Sequence, residues 1–213
     1  MLIIIIIVIL LIWHLDQNKQ NKSLPNNNNN NNTCHVSYKC SLLPPSIPIS
    51  YKQLVKFFPP GKYYGEGTHI PTDKFPKGYT EKIKTEIIND PLNRLITLNH
   101  LMTPQNNAFP SFVSSIKLFL NVSGTGSLIF KSSNGAYRYG EIKEMTNNKI
   151  VGISSGYSHA SNKKIWTKTI FHKRGNGFNI IVLYTFDLNQ PWKEKYNNFL
   201  KKIVVGESAE SEK

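Results

Sequence analysis

Apolar and polar residues alternate through much of the second half of the chain. EKIKTEII (Glu81–Ile88) is a short alternating run, and RLITLNHLM (Arg94–Met102) is another before Pro104. In SFVSSIKLFLNV the apolar residues Phe112, Ile116, Leu118 and Leu120 keep a period of two, which places them on one face of a strand. GTGSLIFKSSNGAYRYGEI contains Ser133-Asn134-Gly135. Asn-Gly between β-favouring runs predicts a hairpin, because both residues accept positive φ. NNKIVGISSG adds a strand after Asn147-Asn148, and KKIWTKTIFHKRGNGFNIIVLYTF a second hairpin turning at Gly175-Asn176-Gly177. Several β-runs at short spacing predict a mainly β fold, an antiparallel sandwich or partly open barrel.

The period changes near the C-terminus. In LNQPWKEKYNNFLKKIVV, Asn189 can cap a helix and Pro191 suits its first turn. Trp192, Tyr196, Phe199, Leu200 and Ile203 then form one helical stripe, so a C-terminal amphipathic helix is predicted to pack across the sheet. The tail from 206 to 213 is polar and expected to be loose.

The N-terminus is patterned differently again. From Met1 to Leu15 every residue but His14 is apolar. As a helix this run spans roughly 22 Å, short of a hydrocarbon core of about 30 Å. Its length suits a cleaved signal peptide, but its flanks do not. No small-x-small cleavage pattern appears before Lys19, Trp13 sits where an interfacial aromatic belongs, and Lys19 and Lys22 follow as a charged stop. Residues 1–15 are therefore read as a retained membrane-anchor helix. Lysines behind it favour a cytoplasmic body, whereas the sequons at Asn21, Asn31 and Asn121 point to the lumenal or outer side, so orientation stays open.

Residues 16–33, with seven consecutive asparagines from Asn26 to Asn32, cannot bury apolar surface and read as a disordered stalk. From 34 to 79, prolines at 44, 45, 48, 59, 60, 71 and 76 forbid long helices. That stretch reads as an extended wrap, with Phe57, Phe58, Tyr63 and Tyr64 tucked into the domain or lining a ligand groove. The β-rich domain then runs from 80 to 205.

Charge and cysteines change this picture little. The formal net charge is +13, but only Arg94, Arg138 and Arg174 are arginines, and no dense basic run occurs. Base readers rely on arginine forks, so weak attraction to anionic membranes or glycans is expected rather than nucleic-acid binding. Cys34 and Cys40 could close a small disulfide loop in an oxidising compartment, remain free thiols, or join His35 at a metal, although adjacent Cys-His is not a standard zinc spacing.

Candidate chemistry is sparse. GISSG (Gly152–Gly156) matches the nucleophile-elbow pattern with Ser154 as nucleophile. No helix follows it, no His lies beyond His172, and the alternating βα pattern is missing, so an esterase-like role for Ser154 is a minor alternative. GTG at Gly124–Gly126 lacks the third glycine of a dinucleotide loop. The histidines at 69, 100, 159 and 172 are scattered singly and read as surface or structural residues, and no paired carboxylates suggest acid–base work. No catalytic residue, metal or cofactor is predicted.

MLIIIIIVILLIW with lysines behind it, a polar stalk and a β-rich body resembles the per os infectivity factors of baculoviruses and their nudivirus or hytrosavirus relatives, nearest in layout to the small fourth member. NVSGTGSLIFKSSNGAYRYGE to KIWTKTIF carries the likeness faintly. The long Asn run and the presence of only two cysteines depart from it. The resemblance implies a non-enzymatic envelope protein, anchored in a membrane and joined with other envelope proteins in a complex for attaching to or entering the host cell, with a host cell-surface receptor or glycan as a further partner. Tyr137, Tyr139 and Trp166 are then the candidate contact residues. The rival reading is a cellular secreted or cell-surface glycoprotein or lectin-like module.

Overall fold

Alternation in the sequence becomes alternation of burial along β2 (Tyr79–Asp90). Glu81, Ile83, Thr85 and Ile87 are buried there, while Thr80, Lys82, Lys84 and Glu86 are exposed. The computed structural model describes residues 43–71, 76–105, 110–157 and 163–203. They form one short helix, α1 (Tyr51–Phe57), and ten strands. Besides β2 these are β1 (Gly61–His69), β3 (Leu95–Pro104), β4 (Phe112–Leu120), β5 (Gly126–Ser132) and β6 (Tyr137–Met145). The last four are β7 (Lys149–Tyr157), β8 (Lys164–Arg174), β9 (Gly177–Thr185) and β10 (Lys193–Lys202).

Each strand pairs antiparallel with the next. β1 pairs with β10 from Tyr63↔Lys202 to His69↔Tyr196, which closes the sheet into an up-and-down barrel. The mainly β, antiparallel expectation holds, but the sheet is neither a sandwich nor partly open. Closure gives every edge N–H and C=O a ladder partner, which an open sheet cannot do. The hairpins at Ser133–Gly135 and Gly175–Gly177 fall between β5 and β6 and between β8 and β9. Gly135 and Gly175 adopt positive φ there.

Closure also corrects the predicted C-terminal helix, whose residues form β10. That strand bonds to β9 on one side and β1 on the other, and its removal would leave two bare edges. Tyr196, Asn198 and Leu200 face inward, whereas Phe199 and Ile203, two of the five residues of the expected apolar stripe, are exposed. Pairing across two ladders outweighs a helical propensity that is only a weak prior. The stretch read as one extended wrap is likewise divided. Residues 43–49 run over the sheet to its rim, Ser46 Oγ donating to Glu141 on the way and Ile49, buried in the core, donating its N–H to the Gly124 carbonyl at 3.2 Å, and then come α1 and β1.

α1 closes one end of the barrel. Ser50 caps it, and Leu54, Phe57 and Phe58 are buried. Phe58 packs edge-on against Phe171 with ring centroids 5.2 Å apart, and Phe178 lies 4.9 Å from Tyr63. Ile87, Ile96, Leu98, Leu118 and Leu128 complete this core. The connections β1–β2, β3–β4, β5–β6, β7–β8 and β9–β10 all leave from the opposite end, the mouth. The hydrophobic residues 1–15, the stalk 16–33, Asn21, Asn31, Cys34, Cys40 and the tail 206–213 lie outside the described residues. Among the described residues no helix is long and apolar enough to cross a membrane.

Candidate functional site

Ten strands enclose a wider lumen than the eight whose interior side chains can just fill. The plug half is filled by the apolar core, whereas the mouth half carries polar and charged groups from seven strands.

On one wall, β1, β2 and β10 bring Glu81, His69, Tyr196 and Asn198 together. Glu81 is fully buried because it shares the inward phase of Ile83 and Ile87. Tyr196 Oη donates to Glu81 Oε1 at 2.7 Å, and Asn198 Nδ2 donates to Tyr196 Oη at 3.1 Å. His69 Nε2 lies 3.3 Å from the same Oε1, within ion-pair distance but not aligned as a hydrogen bond. The His69 ring stacks on Tyr79 at 4.0 Å and leans on Tyr196 at 4.4 Å. Burial and the Glu81 carboxylate hold both tyrosine hydroxyls well above their ordinary pKa, so they stay protonated. Gly67, between Glu81 and Asn198 in register, makes room for this: a Cβ there would sit 2.8 Å from the Tyr196 ring. Glu81 Oε2 and Asn198 Oδ1 are buried without a hydrogen-bond partner among the described residues.

Arg138 reaches the lumen from the opposite wall, and Lys195 stands on β10 itself, next to Tyr196. Arg138 on β6 is in register with Phe130 and Gly156, and its guanidinium stacks over the Phe130 ring at 4.9 Å. Its Nε is enclosed and has no hydrogen-bond partner among the described residues. Lys195 owes its direction to a bulge between Glu194 and Tyr196, where two residues oppose one and the ordinary alternation is broken. Burial and then the neighbouring Arg138 bring the Lys195 ammonium down to about 8. Burial also lowers Arg138. Neither cation makes an ion pair among the described residues, whose bridges are His69–Glu81, Lys143–Glu141 and Lys149–Glu144. Phe130, Arg138, Val182 and Tyr184 all face inward by register yet remain partly exposed, so solvent reaches their side of the sheet.

Between the two walls, the inward row Thr85, His100, Ser114 and Ser132 continues the polar lining. His100 is buried, its Nδ1 2.8 Å from Thr85 Oγ1, and burial depresses its pKa to about 4, so the ring is neutral at pH 7.

The outside of the barrel carries two further features. A groove of about 800 Å³ crosses β1 to β5, with Tyr64, Leu101, Val113 and Ile203 beside Lys62, Lys84 and Lys131. On the β6–β8 face, Tyr139, Ser155 and Trp166 form one cross-strand row. Tyr137 and Tyr139 are exposed, and Lys164 lies 4.5 Å over the Trp166 ring. The three aromatic residues chosen from the sequence are thus neighbours on one outer face.

Ser154 is not at an elbow. It sits mid-strand in β7, buried, with its Oγ 2.8 Å from Thr167 Oγ1. Asn121 lies in the β4–β5 turn, where its side-chain oxygen accepts from Thr125 N–H at 3.0 Å and Ser123 Oγ at 2.7 Å, and its amide donates to Thr125 Oγ1. Glu81, Arg138 and Lys195 were missed as site residues. The first two were signalled by strand phase, an acid in step with Ile83 and Ile87 and an arginine in step with Gly140 and Ile142.

The crystal structure of Rv2717c from M. tuberculosis has a similar fold, with a TM-score of 0.54 and 12% sequence identity, covering 72% of this chain and 96% of that one. No family model matches the chain, and no curated protein matches it. The likeness to the mycobacterial protein is one of fold.

Proposed function

We propose that this protein is a binding module that takes a small molecule into the barrel lumen through the mouth, and that it acts by holding this ligand rather than by transforming it. The observation that carries the reading is the contrast along one lumen. The plug end is packed, while the inward-facing Phe130, Arg138, Val182 and Tyr184 of the mouth half stay partly exposed, with polar atoms of that half unpaired among the described residues. Binding pockets combine apolar walls with a few convergent polar groups, and this half of the barrel has both.

Residues 1–15 would hold the barrel at a membrane, and in an infectivity complex of the kind the sequence layout resembles, the outer row of Tyr137, Tyr139 and Trp166 would face partners. That extension has the layout and the exposed aromatic row as its support.

Fluorescence titration with neutral N-phenyl-1-naphthylamine tests the lumen reading. Val182→Trp fills the lumen and is expected to abolish enhancement, while Val113→Trp, in the outer groove, leaves it intact. The reverse pattern assigns binding to the groove and overturns the reading, as does absence of binding in the wild-type chain.

A further inference from the structure

We infer that the lumen ligand is a single-chain amphiphile with a carboxylate head, the head seated between Arg138 and Lys195 and the chain running along Phe130 and Val182. This rests on the lumen-binding reading and names the ligand class for it.

Arg138 and Lys195 are both partly withdrawn from water, the Arg138 charge disfavours the Lys195 ammonium, and a cation that loses hydration without gaining a partner is costly. Proteins usually place a carboxylate beside such a group, and here none stands within ion-pair distance among the described residues. The one fully buried acid among the described residues, Glu81, is held by Tyr196 and His69. The arrangement is built rather than incidental. Arg138 is fixed by its ring contact with Phe130 and lies against Gly156, where a Cβ would meet its Cγ at 3.1 Å, and a bulge turns Lys195 out of its expected phase. Local rules broken without internal compensation mark functional positions.

The neighbouring surface decides the rest of the molecule. Phe130 stacks on Arg138, Val182 is in register with Tyr196 next to Lys195, and both are partly exposed and pack against the core cluster. A small inorganic anion would leave that apolar surface wet. A carboxylate on an alkyl chain covers it, and its two oxygens match the arginine fork, with the lysine as a second point charge.

Displacement of N-phenyl-1-naphthylamine from the full chain by decanoate and by decanol tests this. Decanoate is expected to compete at least about tenfold more strongly than decanol, a charge-assisted hydrogen bond being worth about 1.5–3 kcal/mol. Arg138→Gln and Lys195→Gln should each cost decanoate about tenfold and leave decanol unchanged, and Arg138→Lys should restore part of the loss. If Arg138→Gln does not fold, Lys195→Gln alone decides. Equal competition by decanoate and decanol in the wild type, or equal losses for both in the variants, overturns the carboxylate assignment while the naphthylamine signal keeps the lumen reading standing. Loss of that signal in the wild type overturns the reading itself.

Discussion

At the plug end of the barrel Leu54 and Phe57 from α1 and Phe58 just after it pack with Phe171 and Phe178 from β8 and β9, and every one of these side chains is buried. At the mouth end the same strands and their neighbours present Glu81, His69, Arg138, Lys195 and Asn198, with several polar atoms unpaired among the described residues. The two ends share strands, register and closure, so topology cannot be the source of the difference. It comes from which residue types occupy the inward phase and from one bulge in β10. A closed barrel needs only one well-packed end to hold its ladder together, and the other is then free to carry groups that lower stability. The molecule thus separates the part that folds it from the part that would bind.

The largest expected effect tests that separation. Phe58→Ala removes a fully buried ring that touches both Phe171 and Phe178, and should destabilise the barrel by about 3–5 kcal/mol in urea unfolding. Tyr184→Ala, at an inward position that is partly exposed, should cost about 1 kcal/mol. Equal losses would mean that the mouth half is packed as core, and the contrast between the ends would be gone.

The next effect sits between the two regions, at His100. Burial holds its ring at about 4, against 6.5 for an unburied imidazole. Between those values the unfolded chain binds a proton that the folded barrel excludes. Stability is therefore complete above about pH 6.5, falls as the pH drops, and the loss levels off near pH 4, amounting to about 3 kcal/mol. His100→Gln keeps a polar group for Thr85 and removes the titration, so its stability should be flatter across that window. A wild-type profile with no fall there would place His100 in contact with water and extend the open region into the middle of the barrel.

The strands of both regions were legible because period two survives wherever the inward residues are apolar, as in β4 with Ile116 and Leu118. The hairpins were legible because only a few residue types accept the turn conformation. β10 was not, because its inward set, Tyr196, Asn198 and Leu200, includes an amide that hid the alternation while a helical stripe happened to be complete. β1 was hidden in a similar way. GKYYGEGTH has glycines at two inward positions, Gly65 and Gly67, where the chain needs close approach rather than hydrophobicity. Without β1 and β10 the barrel cannot be seen to close. The site was legible in part: Glu81 and Arg138 stand in core phase, which is itself a signal. The direction of Lys195 was not, because a bulge depends on the partner strand and leaves no mark in its own sequence.

The smallest expected effect asks whether the plug is merely structural. A seven-residue helix is too short to persist by itself, so α1 relies on packing and on its cap. Ser50 Oγ accepts from Gln53 N–H at 3.2 Å, and Ser50 N–H donates to Gln53 Oε1 at 2.8 Å, a reciprocal capping box. Ser50→Ala removes one half of that exchange and should cost about 1 kcal/mol in urea unfolding. Leu54, Phe57 and Phe58 stay in place, so if the ligand passes only through the mouth, its dissociation rate, followed by stopped-flow displacement of N-phenyl-1-naphthylamine, should be unchanged. A faster release in Ser50→Ala would instead make α1 a gate whose opening the cap restrains. The two ends would then differ in packing but not in access, and the division of labour between them would have to be redrawn around a lumen open at both.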